Sequence, residues 1–375
     1  MSERKMVKLE DVCEILDSKR IPITASDRKE GQYPYYGANG VQDYVDDYIF
    51  DDELVLLAED GGNFGSKDRP IAYRVSGKCW VNNHAHVLKP KEGLDVDYLC
   101  YSLMFYDVGS LVNGATRMKL TQAAMRQMVI PKCDLEKQRE IVHILSNVKF
   151  IISKRKQQLS ALDNLIKARF VEMFGDPVTN PKGWEMHKLS EKLDVLGGYA
   201  FKSDGFDEKR GIPVLRIGNI NAGVFKPVNM VFWKEDNALC RYLMYPGDLV
   251  MSLTGTVGKD DYGNVCILGK DYDKYYLNQR NAKLEIKNGI DKYYLSQILR
   301  FEKIKKRLTG ISRGVRQANI SNKDILELKI PIPPLELQRQ YADFITQIEK
   351  SQKMCKKSLE KSQLLFDSLM QEYFG

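Results

Sequence analysis

Ile330-Pro331-Ile332-Pro333-Pro334-Leu335-Glu336-Leu337-Gln338-Arg339 is made twice in this chain. Its earlier copy is Ile130-Pro131-Lys132-Cys133-Asp134-Leu135-Glu136-Lys137-Gln138-Arg139, displaced by 200. The register holds without a gap through Lys156/Lys356, Leu159/Leu359, Leu165/Leu365 and Glu172/Glu372. It ends at Phe174-Gly175 and Phe374-Gly375. Two long units of this kind mark a tandem duplication and not a solenoid.

Leu135 to Phe174 holds no proline and no glycine. Its apolar side chains, Ile141, Leu145, Val148, Ile152, Leu159, Leu162, Ile166 and Met173, fall on a heptad seam that Arg155 and Arg169 interrupt. That spacing predicts a long helix packed on another helix. The second copy supplies Tyr341, Ile345, Ile348, Leu359, Phe366, Leu369 and Tyr373, with Gln352, Cys355 and Ser362 as weak points. Pro131 and the Pro331–Pro334 run are expected to stop the preceding strand and set the helix start. Gly175, followed by Pro177, is expected to end the first helix. Roughly 40 residues make a rod of about 60 Å. The natural partner of each rod is the other copy; two independent surface helices would leave two long apolar seams half solvated.

The 375 residues carry a net charge of +7, with 43% hydrophobic and 10% aromatic side chains, enough for two or three domains with real cores. A mild basic excess permits nucleic-acid binding without demanding it. Seven cysteines without a CxxC pair fit reduced thiols and a cytoplasmic setting. The charged first twenty residues do not read as a signal peptide, and no apolar run approaches the ~20 residues of a membrane span.

Ahead of the first rod come short β-rich runs with glycine turns, a helix over Val96 to Val108, and a last strand at Met128-Val129-Ile130. A second globule repeats the first loosely. Val81 to Leu88 answers Leu277 to Leu284 at an offset of 196, and Gly114-Ala115-Thr116-Arg117 answers Gly310-Ile311-Ser312-Arg313. The expected order is a globule over 1–131, a helix over 132–175, a linker over 176–184, a globule over 185–331 and a helix over 332–375. The fold class is α+β.

Signatures of catalysis are missing. There is no GxxxxGKS/T loop, and Gly255-Thr256-Val257-Gly258-Lys259 has the wrong spacing. No Asn-Pro-Pro-aromatic tetrad of the amino-methyltransferase type occurs. His84-Ala85-His86 could place two imidazoles on one face of a strand, but without a third ligand these read better as surface or DNA-facing histidines than as a metal site. Glu59-Asp60 reads as the start of a glycine turn, and His143 as a helix-surface residue.

Polar loops stand out instead. In the first globule Asn63, Lys67, Arg69, Arg74, Asn82, Asn83, His84, Arg117 and Lys119 lie in or beside turns. In the second, Arg216, Asn219, Thr254, Thr256, Lys259, Asn278, Gln279, Arg280, Arg313, Arg316 and Gln317 do. Arg pairs bidentately with guanine and Asn or Gln with adenine in the major groove, while Lys and hydroxyls position the backbone. A solvated surface accounts for at least half of such a set.

With these features together, the chain resembles the DNA-specificity subunit of type I restriction-modification systems. The Ile-Pro-x-Pro-Pro-Leu-x-x-Gln block at Ile330 to Gln338, its partner at Ile130 to Gln138, the long helix after each, and the loops Gly114 to Arg117 and Gly310 to Arg313 carry the resemblance. So do Ile212 to Ile220, Tyr245 to Val250 and Tyr33 to Gly37. The chain departs from the family's usual pattern at Lys137 and Leu337, where Glu is common, and at Cys133-Asp134, where the double proline is lost.

The resemblance implies two tandem β-rich target recognition domains, each reading one half of a bipartite, asymmetric site on double-stranded DNA. It implies that the two helices pack as an antiparallel coiled coil with pseudo-two-fold symmetry and set the gap. It implies two methyltransferase (modification) subunits and motor-nuclease restriction subunits as partners. S-adenosylmethionine and ATP with Mg are then expected on those partners and no cofactor on this chain. Half-sites read from one face of B-DNA sit about one turn, roughly 34 Å, apart. Two other readings stay open from the residues alone: a protein-binding coiled-coil scaffold, and a stand-alone DNA-modifying enzyme.

Overall fold

The structure is a computed structural model that describes residues 5–66, 68–114, 118–220, 223–256, 261–310 and 317–375. The chain forms two compact units: Met1–Gln157 with Lys356–Gly375, and Gln158–Cys355. Each unit therefore holds one globule and part of both long helices. None of the described helices is long and apolar enough to cross a membrane.

In the first unit, Phe50–Ala58 and Ala72–Val81 form the centre of a six-stranded sheet. Its order is Cys13–Ile15, Ala85–Pro90, Phe50–Ala58, Ala72–Val81, Glu30–Gly37, Gly40–Val45. Neighbours are antiparallel except Glu30–Gly37, which runs parallel to Ala72–Val81. Apolar Val55, Leu57 and Leu88 share a core with Tyr98, Leu99 and Leu103 of the helix Val96–Met104. Lys5–Lys8 pairs antiparallel with Val129–Lys132, bringing entry and exit of the globule together.

The second unit keeps the same order of four strands: Leu193–Gly197, Asn281–Ile286, Leu249–Ser252, Val265–Ile267. The strand that runs unbroken through Ala72–Val81 in the first unit is interrupted here. Val265–Ile267 stays in this sheet, while Tyr275–Leu277 enters a second sheet in which it lies parallel to Ile212–Leu215. Leu215 pairs with Leu277 as Tyr36 pairs with Val81. The loose repeat at an offset of 196 is thus a repeat of register.

The two helices span Leu135–Phe174 and Leu335–Phe374, the bounds that the absence of proline and glycine marks out. In the first unit Ile141, Leu145, Val148 and Ile152 share a core with Phe366 and Tyr373. In the second, Phe170, Met173 and Phe174 share one with Tyr341 and Ile345. In each unit the start of one helix meets the end of the other, so the pairing is antiparallel. Two of the three weak seam positions are filled by polar pairs: Gln352 Nε2 donates to Asp163 Oδ1 at 2.7 Å, and Cys355 Sγ lies 3.5 Å from Gln158 Oε1, while Ser362 Oγ donates to the Ser358 carbonyl of its own helix at 3.0 Å. Gly175 ends the first helix at φ +81°, where a Cβ would meet Pro181 Cγ at 2.8 Å.

The two copies use their prolines differently: Pro331 is the last residue of its strand, paired with Met186, and Pro333-Pro334 lead into the helix as expected, whereas Pro131 lies inside its strand, paired with Met6. Each pair is a two-stranded ribbon, so a strand position without an N–H is tolerated at its edge. The carbonyl of Pro131 accepts the Tyr98 hydroxyl at 2.9 Å, and that of Pro331 accepts Tyr294 at 2.6 Å. The ring of Phe374 packs on Tyr98 at 5.1 Å and that of Phe174 on Tyr294 at 4.8 Å. Residues 176–184 form an ordered turn: Asp176 Oδ1 accepts from the Val178 N–H at 2.7 Å, and Trp184 Nε1 donates to the Phe174 carbonyl at 2.9 Å.

Gln138 and Gln338 are fully buried and fix each helix to its globule in the same way. Gln138 Oε1 accepts from the Asp95 N–H at 2.8 Å, while Nε2 donates to the carbonyls of Cys133 and Gly93 at 2.8 and 3.1 Å. Gln338 does so with Asp291, Pro333 and Gly289 at 2.7, 2.7 and 3.3 Å. Either Gln→Ala change leaves three backbone groups without their buried partner, and should lower the stability of its own unit by about 1–3 kcal/mol in chemical denaturation. A loss of only a few tenths would show that the clamp holds nothing.

Candidate nucleic-acid interface

In the first unit, three loops converge at one end of the six-stranded sheet. Tight backbone pairing brings them there. The Glu59 N–H donates to the His84 carbonyl at 2.9 Å, and the Leu120 N–H donates to the Glu59 carbonyl at 2.7 Å. The tip of the Gly37–Gly40 hairpin joins them, because Asn39 Nδ2 donates to the Gly61 carbonyl at 2.9 Å. Asn63, Asn83, His84 and Lys119 are thereby gathered at the same end. Asn39 and Gln42 belong to this edge too, and the sequence reading passed over them; the Tyr36-Gly37-Ala38-Asn39-Gly40 turn was the available signal.

Other candidates hold the protein together. Asn82 is buried: its Nδ2 donates to Gln42 Oε1 at 3.1 Å and its Oδ1 accepts from the His84 N–H at 2.8 Å. Arg74 pairs with Glu53, and with Asp97 at 3.2 Å, on the sheet beside the helix Val96–Met104. Arg69 is exposed in the loop after Ser66, whose hydroxyl accepts its backbone N–H at 3.0 Å.

His84 and His86 do not share a face. His84 Nδ1 lies 2.6 Å from Asp60 Oδ1 at the surface, whereas His86 is fully buried and so is neither a surface nor a DNA-facing residue. Its Nδ1 lies 2.6 Å from Asp17 Oδ2 and its Nε2 2.9 Å from the Leu120 carbonyl. Asp17 also accepts from the Val87 N–H and Gln122 Nε2, both at 2.9 Å. Burial pushes the Asp17 carboxyl upward, but the His86 contact and these two donors outweigh it and hold the group below the usual carboxylate range.

Asp17, Glu59 and His86 place three ligand-type atoms within 4.8 Å of one another. A metal does not fit them, because a cation is already in place. Arg20 Nη1 donates to Glu59 Oε2 at 2.6 Å, and Nη2 lies 3.5 Å from Asp17 Oδ2. Lys119 Nζ adds a contact to Glu59 Oε1 at 3.0 Å. Glu59-Asp60 is therefore an anchor of this network as well as a turn.

In the second unit the equivalent edge is built by Arg216–Asn219, Thr254–Thr256 and Asn278–Arg280. The Leu253 N–H donates to the Arg280 carbonyl at 2.9 Å, and Asn281 Nδ2 reaches the Leu215 carbonyl at 2.7 Å. Gly198 packs so closely under this turn that a Cβ would meet the Asn278 carbonyl oxygen at 2.1 Å. Gln279 and Arg280 are exposed and Asn278 half-buried. Thr254 and Thr256 lie on a short strand paired with Gln317–Asn319. Asn219 is buried and ties its own loop: Oδ1 accepts from the Arg216 N–H at 2.9 Å, and Nδ2 donates to the carbonyls of Lys226 and Val228 at 3.0 Å each. Lys67, Arg117, Lys259, Arg313 and Arg316 lie outside the described residues, as does the side chain of Gln317.

Two β-rich units, each with its own polar loop edge and carried on a shared antiparallel helix pair, define a class of two-headed sequence readers. The family model for the type I restriction modification DNA specificity domain matches residues 1–161 and again 181–361, and the chain belongs to that family. A putative type I restriction enzyme specificity subunit from Haemophilus influenzae is 29% identical over 356 residues, covering 93% of this chain and 88% of that protein. A type I restriction enzyme specificity subunit from Methanocaldococcus jannaschii is 26% identical over 388 residues, covering 95% and 88%. The crystal structure of the S subunit of a type I restriction-modification system from M. genitalium aligns with a TM-score of 0.64 over 100% of this chain and 96% of that chain. At 15% identity, that likeness speaks for the fold. The chain is a DNA-specificity subunit, the non-catalytic component of such systems.

Proposed function

We propose that the two units read the two unlike halves of a bipartite site on double-stranded DNA. The first does so with the edge around Asn39, Asn63, Asn83, His84 and Lys119, the second with the edge around Asn278, Gln279, Arg280 and Thr256. Lys67, Arg69, Arg117, Arg216, Lys259, Arg313, Arg316 and Gln317 are further candidates for phosphate or base contact. Asn82 and Asn219 support these edges instead, while Arg74 is engaged beside the helix Val96–Met104 and Thr254 lies on the strand paired with Gln317–Asn319. The long helices set the gap and dock two methyltransferase subunits, which restriction subunits join; S-adenosylmethionine and ATP with Mg belong to those partners.

One observation carries this reading. The clamps that fix globule to helix make the same three bonds in both units, with Pro333 standing where Cys133 does, while the loop edges differ at most side chains, as at Asn83/Gln279 and His84/Arg280. Docking of two copies of one partner is supported by Leu165 and Leu365, which occupy equivalent helix positions and are 46% and 50% exposed.

The test is exchange. Residues 1–131 replaced by the corresponding domain of another specificity subunit, co-expressed with methyltransferase subunits, should change one half of the methylated motif and leave the other half and the gap as they were. A change in both halves would refute two independent readers.

A further inference from the structure

The second unit holds a cavity of about 470 Å³ lined by Phe201, Arg216, Val228 and the Asn278–Arg280 turn. Its walls are fixed from outside. Asn219 grips the carbonyls of Lys226 and Val228, and Arg216 Nη2 donates to the Asn229 carbonyl at 2.5 Å. Asn229 is held at φ +51°, a conformation uncommon for a side-chain-bearing residue. The opposite turn is set by the Gln279 N–H on the Tyr199 carbonyl at 2.9 Å and the Asn281 N–H on that of Asn278 at 2.9 Å.

Three features of this space are unusual for a surface that touches only groove edges. Phe201 is the apolar floor, only 7% exposed and packed against Tyr199 at 5.0 Å and Trp233 at 5.2 Å, so the floor is rigid. The side chains of Asn278, Gln279 and Arg280 have no partner among the described residues, so their donors and acceptors are available to a ligand. Val228 is an apolar side chain left 57% exposed at the rim, on a loop that Asn219 holds through the carbonyls of Lys226 and Val228.

Resting on the reading of this unit as a DNA reader, we propose that the cavity receives one nucleobase rotated out of the duplex and that Val228 enters the stack it leaves. The volume lies within the range of small-molecule sites, roughly 300–1,000 Å³. Apolar Phe201, Ile217 and Val228 in the lining suit the apolar faces of a base. Side-chain amides pair with the hydrogen-bonding edge that a rotated base exposes. Apolar side chains that wedge between base steps are the usual means of holding a step open. Guanidinium groups at Arg216 and Arg280 suit the phosphates flanking the rotated nucleotide.

The experiment uses the isolated full-length chain, so that no methyltransferase is present to extrude a base of its own. Selection from randomised duplexes first gives the two half-sites. Duplexes carrying 2-aminopurine at each position of the second half-site in turn, and others with a single mispair there, are then bound. One position should show a several-fold rise in emission, and a mispair there should tighten binding about tenfold, since a weakened pair opens more easily. Val228→Ser should abolish the rise. If no position shows either effect while both half-sites are still selected, the pocket takes no base, and the reading of this unit as a DNA reader stands. If Val228→Ser leaves the rise intact, the wedge is refuted. If selection returns only one half-site, that reading fails and this proposal fails with it.

Discussion

Asp17→Ala is expected to destabilise the first unit by about 3–5 kcal/mol, since one partner of a buried charge network is removed and the others stay buried. Arg20 and His86 would both lose a contact, and the Val87 N–H and Gln122 amide an acceptor. Domains of this size hold about 5–15 kcal/mol in total, so the loss is a large part of it. Differential scanning calorimetry of the whole chain should show the transition of the first unit moved down by several degrees and that of the second unchanged. A single transition shifted by less than a degree would mean that the network is dispensable.

The same carboxylate gives a pH signature. Its folded-state pKa is depressed, so its contribution is complete above the unfolded value, about 3.9, and is lost as pH falls through the folded value. The first unit should therefore lose stability below about pH 4. Asp17→Asn, which keeps the shape but not the charge, should flatten that dependence. Specificity follows the same path. The network joins the 59–60 turn, the 82–86 segment and the strand at Lys119–Leu120, the three pieces of the edge proposed to read DNA. At the position of His86 the second unit has Ala282, also fully buried in the same strand register, which offers no imidazole for such a network. Weakened Asp17 variants that still fold should blur one half of the recognised site and leave the other sharp.

How much of this was legible in the sequence depends on distance along the chain. The helices and the duplicated block rest on local rules, the absence of proline and glycine and a heptad seam; the expected spans 132–175 and 332–375 compare with helices over Leu135–Phe174 and Leu335–Phe374. The seam itself was read less well. Phe170 and Phe174, which pack around Tyr294 and Tyr341, were not part of the heptad reading because their partners belong to the globule as well as to the other helix. The role of His86 could not be read at all, since its carboxylate partner is 69 positions away and nothing near Asp17 announces it. Asn82 and Asn219 show the limit of composition. Amide side chains in turns satisfy backbone groups as readily as they read bases, and only the fold separates the two uses.

Four residues added to each long helix, after Ser160 and after Lys353, should lengthen the recognised gap and leave both half-sites unchanged. These points lie between the cross-helix pairs Gln158–Cys355 and Gln352–Asp163, so matched insertions keep the pairs on either side in register. Four helical residues add about 6 Å. At 3.4 Å per base pair that is roughly two base pairs of spacer. Mapping methylated motifs in cells that express this variant with methyltransferase subunits reads the outcome directly. Insertion in one helix alone should behave differently. Four residues turn a helix by only about 40° beyond a full turn, but in one helix alone they slide its far part about 6 Å past the other, and the packing of Phe366 and Tyr373 or of Phe170 and Tyr341 would be lost. That variant should fail to assemble rather than read a longer site. Old spacing with intact half-sites in the doubly lengthened chain would show that the gap is set elsewhere than in the helices.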